Sequence, residues 1–190
     1  MPDAKALLAA ALLGALSTGA APVRAHQPHQ PYAELRSRAV KALSEQQMAD
    51  LRAGRGMGFA LPAELNGYPG PMHVLEHADA LGLSPAQRER TRALFEAMRA
   101  EAVPLGERLI QQEADLERLF AAKAAQAATL DAATAAIGAT QGQLRAAHLR
   151  HHVAMVDLLT PVQVRRYEEL RGYATGAAPG GPHGHSGRPH

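Results

Sequence analysis

LSPAQRERTRALFEAMRAEAVPLGERLIQQEADLERLFAA, residues 83 to 122, decides the fold of this chain. Ser84 sits where a helix N-cap belongs, Pro85 takes the first helical position, and Gln87 stands at the third to close a capping box. Leu94, Met98, Leu105, Leu109, Leu116 and Phe120 then recur at helical spacing and form one apolar stripe, while Arg, Glu and Gln alternate on the other faces. The spacing predicts a single long helix from Ser84 to about Ala122. Pro104 lies inside it and removes a backbone bond to Ala100, so a kink is expected there. A stripe of this length must be covered by another helix that returns along it.

The return comes next. After a short break around residues 127 to 129, a third main helix is predicted from about Leu130 to Leu158, and its last turns read LRAAHLRHHVAMVDLL, residues 144 to 159. His148, His151, His152 and Met155 fall within an arc of about 100° on that helix. Leu144 and Leu159 share their meridian, so this face should turn inward. Imidazoles on an inward face require hydrogen-bond partners or a metal. The plain alternative is a set of core histidines satisfied by backbone and carboxyl groups, but His148 and His152, four residues apart, can both point a ring nitrogen at one ion. Thr160-Pro161-Val162-Gln163 repeats the capping box and starts a last helix, which ends at Gly172.

Working back from Ser84, Pro71 opens a short helix, MHVLEHADALG, stopped by Gly82. His73 and His77 form a second pair four residues apart on it. Residues 54 to 71, GRGMGFALPAELNGYPGP, hold five glycines and three prolines and read as a loop with at most a turn of helix. Their Gly-x-Gly steps are not a phosphate loop, since no Lys-Ser/Thr follows and no strand precedes. A first helix is expected from about Glu34 to Arg52, with a possible break near Ser44. Residues 6 to 21, ALLAAALLGALSTGAA, are apolar and small after Lys5, and small residues follow at a plausible cleavage point; residues 1–25 therefore read as a secretory signal peptide rather than an anchor. This gives a signal peptide (1–25), an N-terminal helix with a Gly/Pro-rich linker (26–71), a helical domain (72–173) and a low-complexity tail (174–190) carrying three histidines and expected to be disordered.

Composition narrows the chemistry. The 190 residues contain no Cys, which excludes disulfides, thiolate nucleophiles and Cys-based zinc sites, so any metal must be held by His, Met, Asp or Glu. Twenty basic residues against 18 acidic ones, with no basic block, do not imply nucleic acid as a partner. No strand-borne nucleophile, cofactor loop or paired-carboxylate arrangement is present, so neither an enzyme nor a small-molecule substrate is expected.

The motif Leu-Ser/Thr-x-x-Gln occurs three times, at Leu43 to Gln47, Leu83 to Gln87 and Leu159 to Gln163. Each is explained as a helix start. Their placement before the long helix and the last helix, together with the leader and the lack of Cys, resembles the periplasmic LTxxQ proteins, which include Spy- and CpxP-like chaperones, zinc-resistance-associated proteins and nickel/cobalt heavy-metal sensors. The resemblance covers about residues 72 to 172. It implies an all-α fold, an antiparallel helical hairpin around the long kinked helix, and a homodimer.

The sensor branch is the most similar, and its pattern of His-x-x-x-His, Glu and His-x-x-x-Met implies His73 and His77, then Glu96 or Glu101, then His151 and Met155 as ligands. His148 and His152 are additions of this sequence and compete with His151. The first expectation is a heavy-metal sensor or resistance protein holding a divalent transition metal ion (nickel, cobalt, zinc or copper), with a membrane-bound signalling partner where it acts as a sensor. The second is an ATP-independent periplasmic chaperone of the envelope stress response, holding unfolded protein clients.

Overall fold

The computed structural model describes residues 32–174. The expected leader and the histidine-bearing tail from residue 175 onward lie outside the described residues. The described residues form helices and no strand, as the sequence predicts: α1 (Glu45–Arg52), α2 (Leu61–Glu64), α3 (Pro71–Glu76), α4 (Pro85–Ala121), α5 (Ala127–Leu158) and α6 (Pro161–Leu170).

Three of these helices start with the same local chemistry. The hydroxyls of Ser44, Ser84 and Thr160 accept from the backbone N–H of Gln47, Gln87 and Gln163, and each Gln Oε1 accepts in return from the N-cap N–H. Capping boxes of this kind satisfy donors that a helix start otherwise leaves open. The first-helix expectation needs correction. Residues Ala33–Ser37 form only a 3-10 turn, and the helix proper begins after Ser44, because Ser44 with Gln47 makes a stronger start than anything upstream. Helix α3 is likewise shorter than predicted and closes at His77, its C-cap.

Helix α4 runs unbroken from Pro85 to Ala121 through Pro104. It pairs with α5 along the hairpin, and α1 and α3 pack on α4 as well. Helix α1 comes very close to α4 at Gly106: a Cβ there would lie 2.5 Å from the carbonyl oxygen of Leu51. Only glycine allows that approach. The apolar interior forms two clusters. One gathers Leu43, Leu51, Ala102, Leu109, Ile137 and Leu144. The other gathers Val74, Leu81, Leu83, Met155, Leu159 and Tyr167. Phe120, expected in the stripe, is 56% exposed, since the hairpin tip has no third helix to cover it.

The repeated motif does more than cap. Gln87 Nε2 donates to Gln163 Oε1 (2.9 Å) and to the Leu158 carbonyl (3.1 Å). Gln163 Nε2 donates to Gln87 Oε1 (3.1 Å) and to the Leu81 carbonyl (3.3 Å). The two amides thus face each other as a reciprocal pair and join the starts of α4 and α6. Both donors and both acceptor positions of each amide are in use.

Candidate metal centre

The inward face of α5 carries Leu144, Ala147, His148, His151, His152 and Met155, all buried, as its spacing predicts. Leu144 belongs to one apolar cluster and Met155 to the other, so the three imidazoles occupy the turn between them. Each solves its hydrogen bonding differently.

His148 is 2% exposed and its ring stacks on Phe59, 6.1 Å between centroids. Its Nε2 is buried without a partner. Burial, with smaller contributions from His152 and His151, lowers its pKa to about 4, so this imidazole is neutral at physiological pH. His152 donates from Nδ1 to the Tyr68 carbonyl at 2.7 Å, which leaves the Nε2 lone pair free. That side of the ring faces Gly70, where a Cβ would lie 3.0 Å from Nε2 and 2.8 Å from Cε1; the glycine makes room for the ring. Burial lowers the pKa of His152 as well, against the opposing pull of the Tyr68 bond and Glu64. His151 donates from Nδ1 to the Ala147 carbonyl one turn back, and its Nε2 lies 3.9 Å from Glu101.

From α3, His73 pairs through Nδ1 with Glu76 at 2.8 Å, which again leaves Nε2 free. Bonds at Nδ1 of this sort fix ring orientation and tautomer in metal-ligating histidines. His73, His148 and His152 line one cavity of about 70 Å³, with Met72, Met98 and Gly70. A larger cleft of about 290 Å³ adjoins it, shares Met72, His73 and His152, and is walled by Glu64 and Arg171.

The expected ligand set is therefore divided. His73, His148 and His152 meet at the cavity. His151 turns toward Glu101, and Met155 is fully buried in the apolar cluster with Val74 and Tyr167. His77 caps α3, and neither it nor Met155 lines the cavity. Both candidate glutamates are exposed, and Glu101 is the one that comes within 3.9 Å of an imidazole, that of His151. Among the described residues no three His, Asp or Glu side chains converge closely enough to hold a metal by themselves.

Sequence reasoning missed Glu64, Met72 and Met98. Glu64, 6% exposed, accepts from the Tyr167 hydroxyl, pairs with Arg171 and lies 3.7 Å from His152 Nδ1. It sits in the segment read as linker, and only the improbability of a buried carboxyl in a short apolar turn could have marked it. Imidazoles whose Nε2 makes no hydrogen bond, with burial lowering the pKa of His148 and His152, suit a metal ion that has a strong preference for nitrogen or sulfur.

A family model described as heavy-metal resistance matches residues 56–166, more than half of the chain. The chain belongs to that family. The matched segment contains every helical histidine discussed above, from the glycine beside His148 to the middle of α6. No curated protein and no solved structure matches the chain. Membership of the heavy-metal resistance family agrees with the resemblance read from the LTxxQ motifs.

Proposed function

We propose that this heavy-metal resistance protein binds a transition metal ion directly, through the imidazoles of its helical histidines. The reading rests on one observation: His73, His148 and His152, contributed by α3 and α5, line a single cavity, and one of these rings, His148, keeps a buried Nε2 without a hydrogen-bond partner. These three would supply the imidazole nitrogens, and since no three described His, Asp or Glu side chains converge on one point, their rings must move to reach about 2.0–2.2 Å from an ion. The apolar run of residues 6 to 21, read as a leader, supports export to the periplasm, where a resistance protein meets incoming ions first. The homodimer expected from the family resemblance is retained in this reading, and sedimentation of the purified protein tests it.

Calorimetry with zinc, nickel, cobalt and cupric salts tests the metal. A variant with His183, His185 and His190 all changed to Ala is expected to keep about one equivalent, while His148→Ala with His152→Ala loses it. Uptake that disappears with the tail histidines and persists without the helical pair refutes the reading.

A second reading, the client-holding chaperone, is favoured by the exposure of Leu61, Leu65 and Tyr68 within one short segment. It requires suppression of a denatured client's aggregation without ATP and in the presence of chelator. Failure to suppress at several-fold molar excess removes it.

A further inference from the structure

The cavity shared by His73, His148 and His152 has a second set of donors. Met72 on α3 and Met98 on α4 line the same space, Met98 being 5% exposed although it belongs to a different helix from every histidine. Among the described residues no Asp or Glu lines it, and Arg55 is a charged residue in its wall. The nearby carboxyls lie at the Nδ1 sides of two rings, Glu76 2.8 Å from His73 and Glu64 3.7 Å from His152, and Glu64 stands behind Gly70 in the adjoining cleft. The donors facing the cavity are thus imidazoles and thioethers, and burial lowers the pKa of His148 and of His152.

We propose, resting on the metal-binding reading above, that this cavity selects a soft monovalent d10 cation, cuprous or silver, held by the Met72 and Met98 thioethers together with His148 and His152. Three considerations lead there. The cost of removing an ion from water rises with the square of its charge, and a wall of imidazoles and thioethers beside an arginine, with no carboxylate among its described residues, offers little to offset a double charge. Thioethers are poor ligands for zinc, nickel or cobalt and good ones for copper(I). The imidazoles do not by themselves form a three-donor centre among the described residues, whereas a d10 monovalent ion accepts low coordination numbers and softer, mixed donors. Packing alone would be served as well by leucine at positions 72 and 98, and that contrast supplies the test.

Full-length protein carrying ¹³C-methyl methionine is titrated with silver nitrate, which needs no reductant. The Met72 and Met98 methyl resonances are expected to shift by the first equivalent, while those of Met48 and Met155, packed in the apolar clusters, stay in place. Met72→Leu with Met98→Leu, a nearly volume-conserving pair, is expected to weaken silver at least ~10-fold and zinc by less than ~2-fold. Silver binding without any shift of the two methyl resonances overturns the proposal, as does equal silver affinity in the double variant. Zinc or nickel held by the helical histidines with no thioether response overturns this proposal and leaves the metal-binding reading standing. Absence of binding by any of these ions overturns both.

Discussion

Changing one glutamine to glutamate should have opposite effects at different copies of the same motif. Glutamate serves a capping box as well as glutamine does, and a negative charge in the first turn of a helix contributes about 0.3–1 kcal/mol. Gln47 is exposed and makes only its own capping box, so Gln47→Glu should be neutral or stabilising by up to about 0.5 kcal/mol. Gln87 also donates two bonds, to Leu158 and to Gln163. Gln87→Glu removes both, at about 1 kcal/mol each, and sets a carboxylate oxygen against Gln163 Oε1 in a half-buried place. After the gain from the helix start, the net cost is about 2 kcal/mol, and Gln163→Glu should match it. Urea unfolding of the three single variants, in chelator, measures this. If all three shift the midpoint alike, the glutamine pair is only two independent caps and the reasoning fails.

Two further perturbations separate local from tertiary effects. Gly106→Ala should destabilise by about 1–3 kcal/mol because the new methyl meets the Leu51 backbone, whereas Gly138→Ala, with open space around it in α5, should stabilise by about 1 kcal/mol; thermal unfolding that raises both midpoints would contradict the close approach. The pH dependence follows from His148. Its folded pKa, about 4, lies below the unfolded value, so the unfolded chain binds the proton first and stability is lost as pH falls from ~6.5 toward 4. At about pH 5 this group alone accounts for about 2 kcal/mol. His148→Leu should flatten the urea midpoint between about pH 7 and 5 in chelator, and an unchanged slope would show that other groups carry the dependence.

Much of the architecture is legible in the chain because its signals are local. Ser84-Pro85 with Gln87, and Thr160-Pro161 with Gln163, fix two helix starts to the residue, and the Leu144/His148/Met155/Leu159 meridian identifies the buried face of α5. What the spacing does not reveal is which inward residue faces which neighbour. Met155 and His148 share a face, yet the first enters an apolar cluster and the second a polar cavity, because α3 and the glycines at 56 and 70 lie against different turns of α5. Glu64, Met72 and Met98 joined the site for the same reason: they come from α2, α3 and α4, and only the packing of those elements brings them to the histidines. The mutual bonding of Gln87 and Gln163, 76 residues apart, was likewise hidden behind a motif that each helix explains alone.

The imidazoles on α5 lie between two greasy cores and act as a polar seam across the interior. A seam of that kind interrupts cooperativity. The half of the hairpin built on Leu109 and Leu144 is expected to open without loosening the half built on Val74 and Tyr167, and amide exchange should then reveal two protection levels along one continuous helix. An ion held at the seam touches both halves at once. It would weld them into one unfolding unit, so that metal occupancy is felt as far away as the hairpin tip, where no ligand reaches.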